Sequence, residues 1–310
     1  MIRKLRFLFP FVLGILSVSG CGNARFDSPD PPLSAAGGGA TRLPPRAADR
    51  PRRAAVDGQT ILLTWQGDRP VTRIHLGLVT EQGNLDSALV LKKSTSPKKV
   101  DADYTMITGK RSHCRNQANE KVFTYANPDG QTLEAIVRLY NDGIAIRYRL
   151  PEGVMVTDDR TSYHVATGVD RWIAPYDYGN EQPFPHDTEG KAVRDRYMRL
   201  MTDGRWSYPA LVEPQQDLFL LIAESDLRRN DSGSYLVNAD DSEQYRVQLV
   251  GPAAFCDGLS PWRFAIVGSL ADVVESTLVT DLATPCRIAD PARIEPGVSS
   301  WIYWAYNHGS

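Results

Sequence analysis

The 310-residue chain lacks the motifs that mark several common classes of enzyme. It has four cysteines and five histidines, and neither type recurs at the short spacing of a zinc site. Phosphate-binding glycine loops, dinucleotide fingerprints, nucleophile elbows and HExxH sequences are all missing. The formal net charge is −2, so the chain has no basic surplus with which to bind nucleic acid. What remains is a globular chain whose function must come from other features.

The one long apolar run lies at the N-terminus and indicates export. Basic side chains precede an apolar segment at 7–16, and Val18-Ser19-Gly20-Cys21 has the form of a bacterial lipobox. We therefore predict a lipoprotein signal peptide at 1–21, lipidation of Cys21 and a periplasmic location. The alternative is an uncleaved membrane anchor, although the run is short for a span. Because no acidic residue follows Cys21, the pattern resembles that of outer-membrane lipoproteins.

Residues 22–56 are rich in proline and glycine and contain almost no large apolar side chains. Such a composition cannot bury a core, so this stretch is predicted to be a disordered tether. Cysteines recur later at Cys114, Cys256 and Cys286. They allow either one disulfide with an odd thiol or three small buried apolar residues, and the sequence leaves this choice and the pairing open.

From residue 57 onward, short apolar runs alternate with turn residues. Runs at 61–65 and 74–79 predict an opening pair of strands, and 218–223 is typical of a central strand. The clearest element is a hairpin over 133–150, in which Asn141-Asp142-Gly143 supplies the turn and the glycine is expected to take a positive φ. Many short strands without a βαβ rhythm predict a mainly β fold, an antiparallel sandwich spanning 57–300.

The C-terminal region predicts a buried strand followed by a short helix. Phe264–Val267 is continuously apolar, as in a strand covered on both faces. Ser269 is placed to cap a helix together with Asp272. One apolar stripe on that helix is predicted to consist of Leu270, Val273, Val274 and Leu278. Residues 301–310 then carry an aromatic cluster that an exposed terminus does not need, so we expect it to pack against a further part of the protein.

Several short motifs in this region resemble one known family. Ser260-Pro-Trp-Arg263, Leu278-Val-Thr-Asp-Leu282, Ile294-Glu-Pro-Gly297 and Trp301-x-x-Trp304 resemble the end of the N-terminal domain of glycoside hydrolase family 97, and the likeness covers roughly residues 57 to 304. The resemblance implies a super-β-sandwich similar to that of galactose mutarotase. It also implies an α-glucosidase or α-galactosidase whose catalytic carboxylates lie on a (β/α)₈ barrel beyond Ser310, so no catalytic residue is assigned here.

The same resemblance implies a calcium ligand. The segment 172–184 is similar to the family segment that carries a glutamate ligand, and Glu181 is the matching residue, with Asp177 or Asn180 as alternatives. Ca²⁺ needs several oxygen ligands, so the others would come from the barrel. The competing interpretation is a solvated surface loop.

Aromatic residues near that segment are candidates for sugar binding. Trp172 and Tyr178 offer flat apolar faces to a sugar ring, although aromatic residues in such loops more often close the rim of a core. Trp262, Arg263, Trp301 and Trp304 are predicted to lie at the interface with the barrel, with Arg263 pairing across it. Glu224, at the end of a buried strand, is expected to need water or an ionic partner.

Together these features predict the N-terminal part of an exported, calcium-dependent, exo-acting α-glycosidase. Its partners would be an oligosaccharide or α-glycoside, a barrel in cis and, through the lipid alone, a membrane. The alternative is a stand-alone carbohydrate-binding lipoprotein. A mutarotase-type enzyme is a third hypothesis, and it would require a histidine and a glutamate facing one cleft.

Overall fold

The computed structural model describes residues 24–29, 52–66, 69–106, 108–177, 184–190, 204–238, 243–290, 293–295 and 297–298. Six candidate residues named above lie outside these ranges: Cys21, Tyr178, Asn180, Glu181, Trp301 and Trp304. The described part consists mostly of antiparallel strands, and the predicted mainly β sandwich is confirmed. No helix among these residues is both long and apolar enough to cross a membrane.

The strands are numbered along the chain. The first eleven are β1 (Ala24–Asp27), β2 (Arg52–Asp57), β3 (Thr60–Trp65), β4 (Arg69–His75), β5 (Leu78–Thr80), β6 (Gly83–Leu85), β7 (Val90–Ser94), β8 (Lys98–Thr105), β9 (His113–Ala126), β10 (Thr132–Leu139) and β11 (Gly143–Arg149). The next eleven are β12 (Met155–Asp159), β13 (Ser162–His164), β14 (Asp170–Trp172), β15 (His186–Asp187), β16 (Arg205–Trp206), β17 (Ala210–Gln215), β18 (Leu218–Ser225), β19 (Ser234–Val237), β20 (Gln244–Leu249), β21 (Ala253–Ala254) and β22 (Trp262–Gly268). A 3₁₀ turn at Cys256–Gly258 and two helices, α1 (Leu270–Glu275) and α2 (Leu278–Leu282), complete the described elements.

Two large sheets and one small sheet contain all of these strands. The eight-stranded sheet has the order β1-β2-β3-β4-β13-β20-β19-β16. The ten-stranded sheet has the order β15-β14-β17-β18-β22-β11-β10-β9-β7, with β8 also paired to β9. The small sheet has the order β21-β12-β5-β6. Apolar side chains of the two large sheets form one shared core, and this core is the centre of the sandwich.

The prediction of a tether over 22–56 is wrong at both ends. β1 and β2 pair with each other as the outermost strands of the eight-stranded sheet. Phe26 lies 4% exposed in the main core, with its ring centroid 6.2 Å from that of Phe123. A single phenylalanine inside a proline-rich stretch gave too weak a pattern to predict a strand.

The predicted hairpin over 133–150 is confirmed as β10 and β11, but the role expected of its glycine is wrong. Leu139 and Ile144 are the last paired residues before the turn. Gly143 is not among the described residues with a positive φ. Instead, a Cβ at this position would lie 2.3 Å from the carbonyl oxygen of Ala265 on β22. Gly143 is therefore required because two backbones approach closely, not because of its torsion angle.

The two predicted central strands differ in how they are covered. Every residue of β22 is buried, as expected for a strand between β18 and β11 with apolar material on both faces. In β18 the burial alternates, and Phe219 and Leu221 are only partly covered. On the outer face of the ten-stranded sheet, the side chains of β22 are therefore fully shielded from solvent, whereas those of β18 are only partly shielded.

The predicted C-terminal helix begins as expected and ends early. Ser269 caps α1 in a capping box with Asp272, and the Ser269 amide lies 2.8 Å from a carboxylate oxygen of Asp272. The chain then leaves the helix at Ser276, and Leu278 lies in α2. Val273 and Leu278 pack against the outer face of the ten-stranded sheet. The predicted single stripe is wrong for Leu270 and Val274, which are 50% and 61% exposed.

The hairpin formed by β8 and β9 makes hydrogen bonds to both of these helices. Tyr104 donates a hydrogen bond of 2.6 Å to Asp281 Oδ1 on α2, and Asn116 donates one of 2.6 Å to the carbonyl oxygen of Asp281. Lys110 Nζ donates to the Ser276 carbonyl at the end of α1, where cations are favoured by the helix dipole. The helices are thus tied to the sheet by polar contacts as well as by apolar packing.

The three described cysteines are all free thiols. Cys114 is buried, Cys256 is half-buried and Cys286 is exposed. Of the two interpretations offered by the sequence, the disulfide is therefore not formed, and only Cys114 behaves as a buried apolar residue.

Candidate functional site

Trp172, a candidate for sugar binding, lies on β14 next to the edge of the ten-stranded sheet. Its ring is half-buried, 5.3 Å from the ring of His186 and 6.3 Å from that of Phe219. The neighbouring Arg171 is fully buried and donates a hydrogen bond of 2.9 Å to the hydroxyl of Tyr245 in the opposite sheet. Because adjacent strand residues point to opposite faces, Trp172 lies on the outer face of the sheet.

After Trp172 the chain runs to the edge of a cleft, which Tyr176 and Asp177 line. The Ala174 carbonyl accepts a hydrogen bond of 2.9 Å from the Ser207 amide, and the Tyr176 amide donates one of 3.0 Å to Arg205. The ring of Tyr176 stacks on that of Tyr235, with centroids 4.4 Å apart. These contacts fix the segment that leads to position 178, where the described residues stop until position 184.

The cleft beside Tyr176 has a volume of about 640 Å³, and its lining combines polar and apolar groups. We refer to it as the Tyr176 cleft. Loops and strand ends supply its lining, which consists of Tyr176, Asp177, Ser207, Tyr208, Glu224, Asp231, Ser232, Gly233, Ser234, Val250, Gly251 and Pro252. No histidine belongs to this described lining, so the cleft lacks the histidine and glutamate pair that the mutarotase hypothesis requires.

Beneath this cleft lies a buried ionic triad. Arg263 is 1% exposed, and its Nε lies 2.9 Å from Asp159 Oδ2. Its Nη1 forms a short contact with Glu224 Oε2, which also accepts a hydrogen bond of 2.6 Å from Ser234. Burial alone would lower the pKa of Arg263, but the two carboxylates more than offset this and raise it. Glu224 thus has the ionic partner that the sequence required, and Asp159 is a member that sequence reasoning missed.

A chain of hydrogen bonds anchors the triad in the core. The Thr161 amide donates to Asp159 Oδ1 over 2.9 Å, and the hydroxyls of Thr161 and Tyr148 lie 2.7 Å apart. The Gly77 amide in turn donates to the Tyr148 hydroxyl over 3.1 Å. This network links both large sheets to the small one, so the triad has a structural role.

Some buried polar atoms near the triad have no hydrogen-bond partner in the described part of the chain. They are the hydroxyls of Tyr163 and Tyr208 and the Nη2 of Arg263. Burial raises the pKa of both Tyr208 and Tyr163, while the Arg263 cation opposes both shifts. Tyr208 lines the Tyr176 cleft, whereas Tyr163 is 1% exposed within the main core.

The prediction that Trp262 and Arg263 lie at a domain interface does not fit their burial. Trp262 is 1% exposed, and its ring lies between the guanidinium groups of Arg138 and Arg147, at 4.7 and 4.6 Å. Burial lowers the pKa of Arg147 to about 10, with Asp226 acting against the shift. Arg263 uses its charge within the sandwich, so the expected pairing across to a barrel is wrong. Trp301 and Trp304 lie outside the described residues, so their place at the interface stays a prediction.

The described residues do not by themselves form a metal site. They contain no group of three histidine, cysteine, aspartate or glutamate side chains able to hold an ion. Ca²⁺ takes about six to eight oxygen ligands, so this part of the chain can supply only a minority of them. Among the described residues, Asp177 is the carboxylate that stands closest in sequence to Glu181. Glu181 lies outside the described residues, so its role as a calcium ligand stays a prediction.

The fold and the cleft define a class of protein: a large antiparallel β-sandwich with a cleft of about 640 Å³ and helices packed on the outer face of one sheet. Residues 59–285 match the family model described as "Glycosyl-hydrolase 97 N-terminal". The chain therefore belongs to the glycoside hydrolase 97 family, of which it carries the N-terminal domain.

Individual relatives agree with this assignment. A probable retaining α-galactosidase from Streptomyces bingchenggensis (strain BCW-1) is 32% identical over 270 residues, which is 84% of this chain and 41% of that protein. The fold is similar to that of a β-arabinopyranosidase, with a TM-score of 0.63, 23% identity and coverage of 76% and 41% of the two chains. It is also similar to that of a family 97 enzyme from Pseudoalteromonas sp. strain K8 in complex with acarbose, with a TM-score of 0.65, 18% identity and coverage of 80% and 37%. The chain thus spans about two fifths of the length of these relatives.

Proposed function

We propose that this chain is the N-terminal sandwich of an exported, calcium-dependent, exo-acting α-glycosidase acting on α-glucosides or α-galactosides. The observation that carries the proposal is the family match over 59–285, combined with a relative whose length the chain covers to only 41%. The named activity of that relative, retaining α-galactosidase, supports glycoside hydrolysis as the reaction class. The catalytic carboxylates would then belong to a barrel domain that packs on the sandwich in cis.

Within this proposal the sandwich completes the sugar and calcium site of the barrel. The support is the anchoring of the segment before position 178, where Tyr176 is held by stacking on Tyr235 and by its amide bond to Arg205. A firmly held segment is suited to present a ligand residue such as Glu181 to a neighbouring domain. Calcium, when bound, would supply a fixed positive charge beside the substrate, and the chain would contribute one carboxylate to it.

The calcium proposal can be tested by titration. In a protein that carries both the sandwich and the barrel, Glu181→Gln should weaken calcium affinity at least tenfold, as measured by isothermal titration. The control is Glu152→Gln, a change in an exposed turn residue, which should leave the affinity unchanged. Equal affinity in the two variants would show that Glu181 is not a ligand.

The remaining part of the proposal concerns the cellular location of the protein. We propose that the mature protein begins at a lipidated Cys21 and is held at the outer membrane from the periplasmic side. The sequence pattern Val18-Ser19-Gly20-Cys21 is its support.

The alternative function is a stand-alone carbohydrate-binding lipoprotein. A cleft of about 640 Å³ in the sandwich itself favours this alternative. Reading the nucleotide sequence past codon 310 separates the two proposals: a continuing frame with strand and helix alternation favours the hydrolase, and an in-frame stop favours the binding protein.

A further inference from the structure

We propose that the Tyr176 cleft is a saccharide-binding site of the sandwich, one that takes a neutral hexopyranose unit without help from another domain. The proposal does not depend on the hydrolase proposal, because every residue that it uses belongs to the described sandwich. It rests on the size, the hydrogen-bonding groups, the charge and the aromatic wall of the cleft.

The size and lining of the cleft suit a sugar. Its volume of about 640 Å³ lies within the range of about 300–1,000 Å³ that is common for small-molecule sites. The lining contains three serine hydroxyls, on Ser207, Ser232 and Ser234, and the carboxylates of Asp177 and Glu224, while the carboxylate of Asp231 is buried. Hydroxyl groups both donate and accept, so this set complements a ligand that carries many hydroxyls.

Glu224 has an acceptor oxygen available. Its described contacts, from Arg263 and from Ser234, both use Oε2, which leaves Oε1 able to accept a hydroxyl proton. Because the Arg263 ion pair fixes this carboxylate in position, binding a ligand would require little reorganisation of the side chain. A charged acceptor also forms stronger hydrogen bonds than a neutral one.

The charge of the cleft argues against an anionic ligand. All charged side chains of the described lining are acidic, namely Asp177, Glu224 and Asp231. Two cations near these acids are already paired with carboxylates: Arg263 with Asp159 and Glu224, and Arg228 with Asp226, Asp231 and Asp257. A sugar phosphate or uronate would therefore be repelled, whereas a neutral sugar would not.

The aromatic wall gives the sugar an apolar face to pack against. Tyr176 is half-buried, and its ring is braced by the stacked ring of Tyr235. A pyranose has an apolar C–H face, and an aromatic ring held in one orientation can cover it at low entropic cost.

The test is sugar binding by the 310-residue chain itself. The probes are D-galactose, D-glucose and maltose, titrated up to about 50 mM and followed by isothermal titration and by quenching of tyrosine and tryptophan fluorescence. We expect saturable millimolar binding of at least one probe, as is common for shallow sites with few contacts. An absence of binding by all three would overturn the proposal, and so would equal binding by a sugar phosphate.

Two variants locate the site. Tyr176→Ala removes the aromatic wall and should weaken binding at least tenfold. Tyr163→Phe is the control, because it changes a buried core tyrosine that does not line the cleft, and it should bind as the parent does. Thermal melting checks that both variants fold. Parent-like affinity of Tyr176→Ala would show that the sugar binds elsewhere, whereas the hydrolase proposal would be unaffected.

Discussion

At the scale of single residues, the buried triad of Arg263, Asp159 and Glu224 ties together distant parts of the sandwich. Arg263 and Asp159 are 104 positions apart in the chain. The sequence indicated that Glu224 needs a partner, since a carboxylate at the end of a buried strand must be compensated. It could not show which partner, because the pairing depends on how β12, β18 and β22 come together in space.

Replacing Arg263 should destabilise the fold strongly. Arg263→Met leaves Asp159 buried without a counter-charge, and breaking such a pair costs about 3–5 kcal/mol in unfolding free energy. Urea denaturation measures this loss. The control is Arg115→Met, which removes a solvent-exposed pair with Asp101 and should change stability little. A similar small effect of both substitutions would mean that the triad does not stabilise the sandwich.

Asp281 makes stability depend on pH. Burial is the main cause that raises its pKa to about 6, and hydrogen bonds from Tyr104 and Thr277 act against the shift. The folded protein therefore holds more protons than the unfolded chain between its ordinary pKa near 3.8 and about 6, so the unfolding free energy should fall as pH rises through that window.

Asp281→Asn should remove this dependence. The amide keeps an oxygen for the Tyr104 hydroxyl and places a donor toward Thr277, so the contacts persist without the buried charge. We expect the variant to be more stable than the parent at pH 7 by about 1–3 kcal/mol, with no advantage at pH 4. Urea melts at the two pH values measure the difference. An equal effect of the substitution at both would contradict the assigned pKa.

At the scale of elements, strands with a regular pattern were predictable and irregular ones were not. β10 and β20 largely alternate as their sequences indicate, because one face of each meets the core. β11 departs from its predicted alternation, because it is buried on both faces. β1 was missed because four residues with one phenylalanine give no period. The break between α1 and α2 was missed because it depends on Ser276, whose hydroxyl donates to Asp142 across the sheet.

The β10–β11 hairpin offers a test at this scale. Gly143→Ala would place a Cβ against the backbone of β22, a contact that cannot relax as a side chain would. We expect a loss of about 1–3 kcal/mol in unfolding free energy, in line with other overpacked sites. Gly251→Ala is the control, since a Cβ there meets nothing within 4 Å. Chemical denaturation of both variants should separate them, and equal stability would disprove the close approach.

At the scale of the whole molecule, the chain is a family 97 sandwich that spans about two fifths of its relatives. Its motifs allowed the family to be recognised from the sequence, because several short runs occur in the same order. The Tyr176 cleft could not be foreseen in this way, since its lining is drawn from loops between 176 and 252 that share no local pattern.

Export makes a separate prediction at this scale. In a bacterial host, the chain should incorporate labelled palmitate and partition with the outer membrane. Cys21→Ser should abolish labelling, because the thiol is the acceptor of the lipid. A cysteine elsewhere serves as control, so Cys286→Ser should be labelled like the parent. Labelling that persists in Cys21→Ser would rule out the lipobox.

The central claim is that the sandwich assists catalysis but does not perform it, and hydrolysis of p-nitrophenyl α-galactoside and α-glucoside tests it most directly. The purified 310-residue chain should release no nitrophenol above background. The same chain joined to a family 97 barrel domain should release nitrophenol in a calcium-dependent way. Turnover by the 310-residue chain alone would contradict the account.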